Sequence, residues 1–376
     1  MRRTILAVLI LLVLARPAPA QREHFINIEG PDLKTRIDTA ARQARSQQSS
    51  FWTAYAFDVR SGVAVDADLQ DFHGSSDVIS DTAVSIGTSH GVPVETHNLG
   101  VFLLHDASGA SITRIEIYNL DRVREYSGYP VYWLGRAGNE ESLNLLKGLV
   151  DSAEYTKLPE RAVMAIGLHD DRRVAGMLKD IFHRSSIDKV RGAAVFWLGQ
   201  TGGEQAFLAD LLRNEQESVE IRKKAAFAIG ASRDPAALSA LEAAYTTVTP
   251  REIRRQIIFA VSINDGKDAA VDFLIKIATS DPDLELRKHA IFWLGQRAGE
   301  RSLKVLGDTA GSDADTEVQK QALQAISRRS KDEAIPLLIN IAKTHPKAEV
   351  RKQAMFWLGR TGDPRAVDFF KEVLKK

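Results

Sequence analysis

The chain has 376 residues, with 50 Lys+Arg against 49 Asp+Glu for a net charge of +1, and it contains no cysteine. Hydrophobic residues at 44% and charged residues at 26% exclude a disordered chain and a membrane bundle. The near-neutral balance gives no reason to expect nucleic-acid binding, and the lack of cysteine excludes a disulfide framework and a lipid-modified cysteine.

The first twenty residues, "MRRTILAVLILLVLARPAPA", read as a secretory leader. Arg2 and Arg3 form a basic start, Ile5 to Ala15 is apolar, and Ala18-Pro19-Ala20 is a small-residue cleavage site. The apolar run is short for a membrane span. The expected location is therefore exported, periplasmic or secreted, and without disulfides the exported chain depends on packing alone. Removing the leader takes away three arginines and leaves a net charge of about −2.

Residues 21–125 read as a small α+β domain carrying a net charge of −6, against +4 for the remainder. A helix is expected from Pro31. Phe51–Asp66, rich in aromatic and β-branched residues, reads as one or two strands. "LGVFLLHD" and "SITRIEIYNL" flank "ASGA" and predict a β-hairpin. Between them "GTSHG" matches the G-x-S-x-G elbow around Ser89, but Pro93 follows where that motif needs a helix. His73, His90, His97 and His105 lie close in sequence, yet their spacing fits no zinc pattern. Asp66, Asp68 and Asp71 offer oxygen ligands without the glycine turn of a calcium loop.

From residue 126 onward the chain repeats. Trp133, Ala165, Trp197, Ala228, Ala260, Trp293, Ala325 and Trp357 form a column at steps of 31–33 residues. A fixed period in this range marks a solenoid of stacked units. Seven residues before the column stand Val190, Ile221, Ile253, Leu286, Val318 and Val350. Next come Arg191, Arg222, Arg254, Arg287, Gln319 and Arg351. Two residues after the column is Gly in six of eight units, with Ser262 and Ser327 as exceptions. Each unit predicts two amphipathic helices, the first ended by that glycine in a left-handed cap. Neither helix can bury its apolar face alone, so neighbours must stack.

The pattern "VRKQAMFWLGRTGDPRA" resembles HEAT repeats of the phycobilisome-lyase type. The resemblance implies a mainly α fold: a right-handed α-solenoid of about eight HEAT-like helix pairs over 126–376, preceded by the α+β domain. It also implies that the Val-Arg helix of each pair lines the concave side, and that the protein is a scaffold. Some HEAT proteins are similar to metal-dependent hydroxylases with His-Glu pairs. This chain has no His-Glu dipeptide, and His169, His183, His289 and His345 stand singly.

Opposite the core positions of the Val-Arg helix lie two further columns. One is aromatic: Tyr132, Phe196, Phe227, Phe259, Phe292 and Phe356, with Met164 and Gln324 at the same position. The other is basic: Lys223, Arg255, Lys288, Lys320 and Lys352. The aromatic column is either packing between units or a recognition strip in a groove roughly 60–80 Å long. The arginines before it are expected to bridge to acids of the adjacent unit, with Glu220, Glu252, Glu285, Glu317 and Glu349 available. The column tryptophans are expected in the core. The resulting expectation is a non-catalytic binding protein without cofactor or metal, taking another protein or an extended, apolar peptide with acidic groups. The alternative is a modifying or hydrolytic enzyme with its site in residues 21–125.

Overall fold

The computed structural model describes residues 25–65, 84–86, 96–122, 126–152, 157–264, 266–297 and 299–375. The leader, Ser89, His73, His90 and the Asp66–Asp71 cluster lie outside the described residues. The chain divides into two compact units, Met1–Asp171 and Arg172–Lys376.

The first unit is built on a five-stranded sheet of β1 (Ile26–Asn27), β2 (Phe51–Ala56), β5 (Leu99–His105), β6 (Ile112–Asn119) and β7 (Val131–Arg136), in the order β1-β7-β2-β5-β6. β5 and β6 form the expected antiparallel hairpin, and β2 is antiparallel to β5. β7 runs parallel to both β1 and β2. Strands β3 (Val63–Val65) and β4 (Val84–Ile86) pair separately. Helix α1 (Leu33–Ala44) begins where the side chain of Asp32 accepts from the Thr35 amide, and it packs on β2 and β7. The six residues of β2 are all buried, as a central strand with both faces covered requires. Trp52, Phe102 and Trp133 join Phe25 on one face, while Phe51 and Tyr132 lie on the other. Helices α2 (Asn139–Ser152) and α3 (Leu158–Leu168) complete the unit and pack on each other.

β7 corrects two expectations. Its sequence is "VYWLGR", the first copy of the column tetrapeptide, and it is a strand rather than the first helix of a pair. The α+β unit therefore continues past residue 125, because β7 fills the slot between β1 and β2 that would otherwise expose two strand edges. Pro130 immediately precedes it, and its amide-free nitrogen and fixed φ favour an extended entry.

The second unit is helical: α4 (Arg173–Arg184), α5 (Asp188–Thr201), α6 (Gln205–Arg213), α7 (Val219–Gly230), α8 (Ala237–Thr247), α9 (Arg251–Ile263), α10 (Lys267–Ser280), α11 (Leu284–Gln296), α12 (Glu300–Ser312), α13 (Thr316–Ser327), α14 (Lys331–Thr344), α15 (Ala348–Gly359) and α16 (Pro364–Leu374). The odd-numbered helices α5 to α15 carry the Val-Arg pattern and pack side by side as one layer. The even-numbered helices form the other, α4 to α14 each lying against the odd helix that follows it. Several starts are capped from the preceding loop: Ser218 accepts from the Ile221 amide, and Asp283 and Asp315 each accept from two amides.

The recurrent glycine has a different task from the one expected. Gly199, Gly230 and Gly295 lie inside their helices, not at a left-handed cap. A Cβ on Gly199 would meet the Ala228 carbonyl oxygen at 2.5 Å, and one on Gly230 the Ala260 carbonyl oxygen at 2.5 Å. At these three seams glycine admits the next helix to backbone contact, and the facing column residue is alanine. Where serine replaces the glycine, at Ser262 and Ser327, the next column residue is Trp293 or Trp357. The α9–α11 and α13–α15 approaches are correspondingly looser than those at the glycine seams. A tryptophan ring fills the width that the serine Cβ keeps open. Trp197 is buried at 2%, whereas Trp293 and Trp357 are only half-buried.

Candidate functional site: an aromatic strip on the odd-numbered helices

The aromatic column of the Val-Arg helices lies beside the glycine seam, at the rim of the core. Phe196, Phe227, Phe259 and Phe292 are half-buried, and Phe356 is 51% exposed. The first three rings form a stack: Phe196–Phe227 at 5.9 Å between centroids and 17° between planes, then Phe227–Phe259 at 6.0 Å and 7°. Trp293 continues it, 5.1 Å from Phe259, and Phe292 lies edge-on to Trp293 at 5.0 Å. The Arg328 guanidinium sits 5.0 Å from the centre of the Phe292 ring and Arg360 5.7 Å from that of Phe356. The rings pack on one another yet remain only half-buried, so packing and exposure coexist along the column.

One member of the expected aromatic column lies elsewhere, and one tryptophan expected in the core joins the strip. Tyr132 is in β7, 1% exposed and edge-on to Phe51 at 5.6 Å, so it belongs to the sheet core. Trp293 belongs to the strip although it sits at the core position. The serine preceding it, Ser262, is the sequence signal that could have shown this.

The basic column is present, but its charge is largely answered from within each helix. Lys223 pairs with Glu220 at 2.9 Å, Lys288 with Glu285 at 2.7 Å, and Lys320 with Glu317 at 2.8 Å. Lys320 also lies 3.5 Å from Glu349. Arg255 and Lys352 are exposed. These i,i+3 pairs turn an expected cationic stripe into alternating charge, which removes the reason to expect an acidic ligand.

The same glutamates were the expected partners of the arginines that follow the Val/Ile/Leu column, which instead reach acids in the loop before the next odd helix. Arg191 meets Glu217 at 2.7 Å, Arg254 meets Asp281 at 2.7 Å, and Arg287 meets Asp313 at 2.7 Å. Two rungs differ. Arg222, 4% exposed, donates to the Leu212 carbonyl at 2.9 Å. Gln319 and His345 meet side chain to side chain at 3.1 Å.

The described residues include no group of three His, Asp or Glu placed to hold a metal ion. His105 is 2% exposed in the sheet, 2.8 Å from the Thr53 hydroxyl and stacked on Phe51 at 4.7 Å. In the first unit Ser142 and His169 do come together, with Ser142 Oγ 2.8 Å from His169 Nε2 and 2.9 Å from the Tyr55 hydroxyl. His169 Nδ1 lies 2.7 Å from the Ala165 carbonyl, which can only accept, so Nδ1 carries the proton and Nε2 accepts from Ser142. Burial holds this imidazole down at about 4 and pushes the Tyr55 phenol up. Tyr55 and Ser142 have no exposure and His169 only 2%, so the chain of hydroxyls is a structural tie that no substrate reaches.

Several solved structures are similar. Human deoxyhypusine hydroxylase in complex with glycerol is 16% identical over 62% of this chain and 90% of its own, with a TM-score of 0.31. Lipovitellin is 17% identical over 58% of this chain and 26% of its own, with a TM-score of 0.42. The complex of CpcE and CpcF of phycocyanin lyase from Nostoc sp. is 17% identical over 52% of this chain and 79% of its own, with a TM-score of 0.28. Likeness at this level carries nothing about function. A comparison with curated proteins finds no match. The family described as HEAT repeats matches residues 174–262, 248–327, 271–354 and 309–376. These matches run unbroken over more than half of the chain and cover the helices that carry the glycine seam and the arginine rungs, so the chain belongs to the HEAT-repeat family.

Proposed function

We propose that the chain is a non-catalytic scaffold of the bacterial envelope that holds another protein by an extended, mainly apolar segment laid along the aromatic strip. One observation carries this reading: Phe196, Phe227 and Phe259 are stacked into a continuous apolar rail that is left half in solvent. Ring edges spaced about 6 Å apart are close to the repeat of alternate side chains on an extended strand. Binding would draw on aromatic burial, with the paired lysines of the rim fixing register. The leader-like start supports export, and the proposed docking mode needs no cofactor.

The test is a triple Phe196→Ala, Phe227→Ala, Phe259→Ala variant, used in pull-downs from an extract of the native source and in thermal melts. Loss of capture by about tenfold or more, with the variant still folding cooperatively, is the expected outcome. Unchanged capture by the folded variant would return the stack to inter-helix packing.

A further inference from the structure

On the edge of the aromatic strip opposite the lysines runs a further column. Three residues before each ring, and so beside it on the same helical face, stand Ala193, Lys224, Gln256, His289, Gln321 and Gln353. In α13 the ring itself gives way to Gln324. His289 accepts from the Trp293 indole N–H at 3.2 Å. Gln256, Gln321, Gln324 and Gln353 are half-buried, and among the described residues none of their side-chain amides meets a hydrogen-bond partner. Lys223, Lys288 and Lys320, on the other edge, are paired with glutamates of their own helices. From α9 to α15 the strip is therefore edged by neutral groups, each able to give and to take a hydrogen bond.

An extended segment pressed against apolar rings loses water from its main chain as well as from its side chains. Each peptide unit brings one N–H and one C=O, and either group costs free energy when buried without a partner. A sheet edge answers them with its own main chain. A helical surface cannot, because its N–H and C=O groups are spent within the helix. Side chains must do it, and a primary amide carries the same donor and acceptor as the peptide unit. An ammonium or a carboxylate answers only one of the two.

We propose, resting on the strip as the docking line, that Gln256, Gln321, Gln324 and Gln353 hold the main chain of the docked segment. Rings and amides then divide the work. The stack of Phe196, Phe227 and Phe259 on α5, α7 and α9 selects apolar side chains, and the amides on α9, α13 and α15 carry a stretch whose side chains matter little. A sugar chain is the other class of ligand that amides beside rings can hold, but it stacks on open ring faces. Phe227 has both faces turned to neighbours, with Phe196 at 17° and Phe259 at 7° between planes.

The test uses the full chain and a peptide selected against it from a random displayed library. The peptide has about fifteen residues, enough to run from α5 to α15 at roughly 8–10 Å per helix. A Gln256→Leu, Gln321→Leu, Gln353→Leu variant keeps the apolar stems and removes the amides. It is expected to bind the peptide about tenfold or more weakly, with an unchanged thermal melt, since those amides have no partner in the folded chain. N-methylation of the peptide, which removes its N–H groups, should cost the unsubstituted chain a similar factor and the leucine variant little. Equal or tighter binding by the leucine variant, or indifference of the unsubstituted chain to N-methylation, overturns the assignment and leaves the strip standing. A peptide whose binding survives Phe196→Ala, Phe227→Ala, Phe259→Ala removes the strip as docking line. A library without a binder, or a soluble chito-oligosaccharide bound in place of any peptide, overturns both.

Discussion

The tetrapeptide Tyr132–Gly135 is a buried strand in the first unit, while Phe196–Gly199 is part of a helix in the second. The two differ by one hydroxyl, so local propensity does not choose between them. What decides is the partner. Val131 to Arg136 finds two open strand edges, and Tyr132 and Trp133 go to opposite faces of a sheet buried on both sides. Phe196 to Gly199 has Val190 and Ala194 on the same helical face and an alanine of the next helix to receive its glycine. An aromatic pair followed by Leu-Gly suits either period, and tertiary context overrides propensity.

The largest effect expected of this comparison is on the buried tryptophans. Trp197→Ala should cost about 3–5 kcal/mol by chemical denaturation, the range for large-to-small aromatic changes in a core. Trp357→Ala, at a half-buried ring, should cost less than half as much. Equal losses would erase the distinction between glycine-seam and serine-seam units.

Acid should separate the two units next. Burial lowers His105 and His169 of the first unit to about 4, and in the second unit burial, then Arg255, lowers His289 to about 4. The unfolded chain takes up these protons near pH 6.5, before the folded one does. The stabilisation is therefore full above about pH 6.5 and is lost as pH falls towards 4, at up to about 3 kcal/mol for each group. Hydrogen exchange followed over that window should show the first unit losing protection more steeply. Ser142→Ala should cost a further 1–3 kcal/mol, roughly, by leaving His169 Nε2 and the Tyr55 hydroxyl without their shared partner.

The seam glycines give a smaller and two-signed effect. Gly230→Ala should destabilise by about 1–3 kcal/mol, since the added methyl meets a backbone carbonyl that must move. Gly359→Ala meets open space and should be neutral or stabilise by up to about 1 kcal/mol through helix propensity. Smallest of all, Lys288→Ala should change stability by less than about 0.5 kcal/mol, as for other exposed i,i+3 pairs.

Much of the second unit was legible because a period repeated many times averages out local ambiguity. Val190, Ile221, Ile253, Leu286, Val318 and Val350 held the register from the third unit onward, and all of these are helical core. The first copy lacked that anchor: Tyr126 stands seven residues before Trp133, and Pro130 lies between them. The aromatic strip was legible as a column but not as a stack, since ring geometry depends on helix spacing, which the Gly199, Gly230 and Ser262 seams set. The pairing of Lys223, Lys288 and Lys320 was missed for a simpler reason. The glutamate three residues earlier in the same helix is within reach each time, whereas the arginine expected to take it reaches the next loop.

The arginine rungs also give the second unit its mechanics. Arg191–Glu217, Arg254–Asp281 and Arg287–Asp313 each bolt an odd helix to the loop that starts the next one, so twisting those joints means pulling a partly buried ion pair apart. Arg222 instead donates back to the Leu212 carbonyl of α6, so the α7–α9 joint lacks such an ion pair, and at Gln319–His345 the tie is a hydrogen bond between side chains. Those joints are the compliant ones. A stack pulled from its ends should therefore yield first at α7 and α13, as a spring wound from wire of uneven gauge stretches at its thinnest turns.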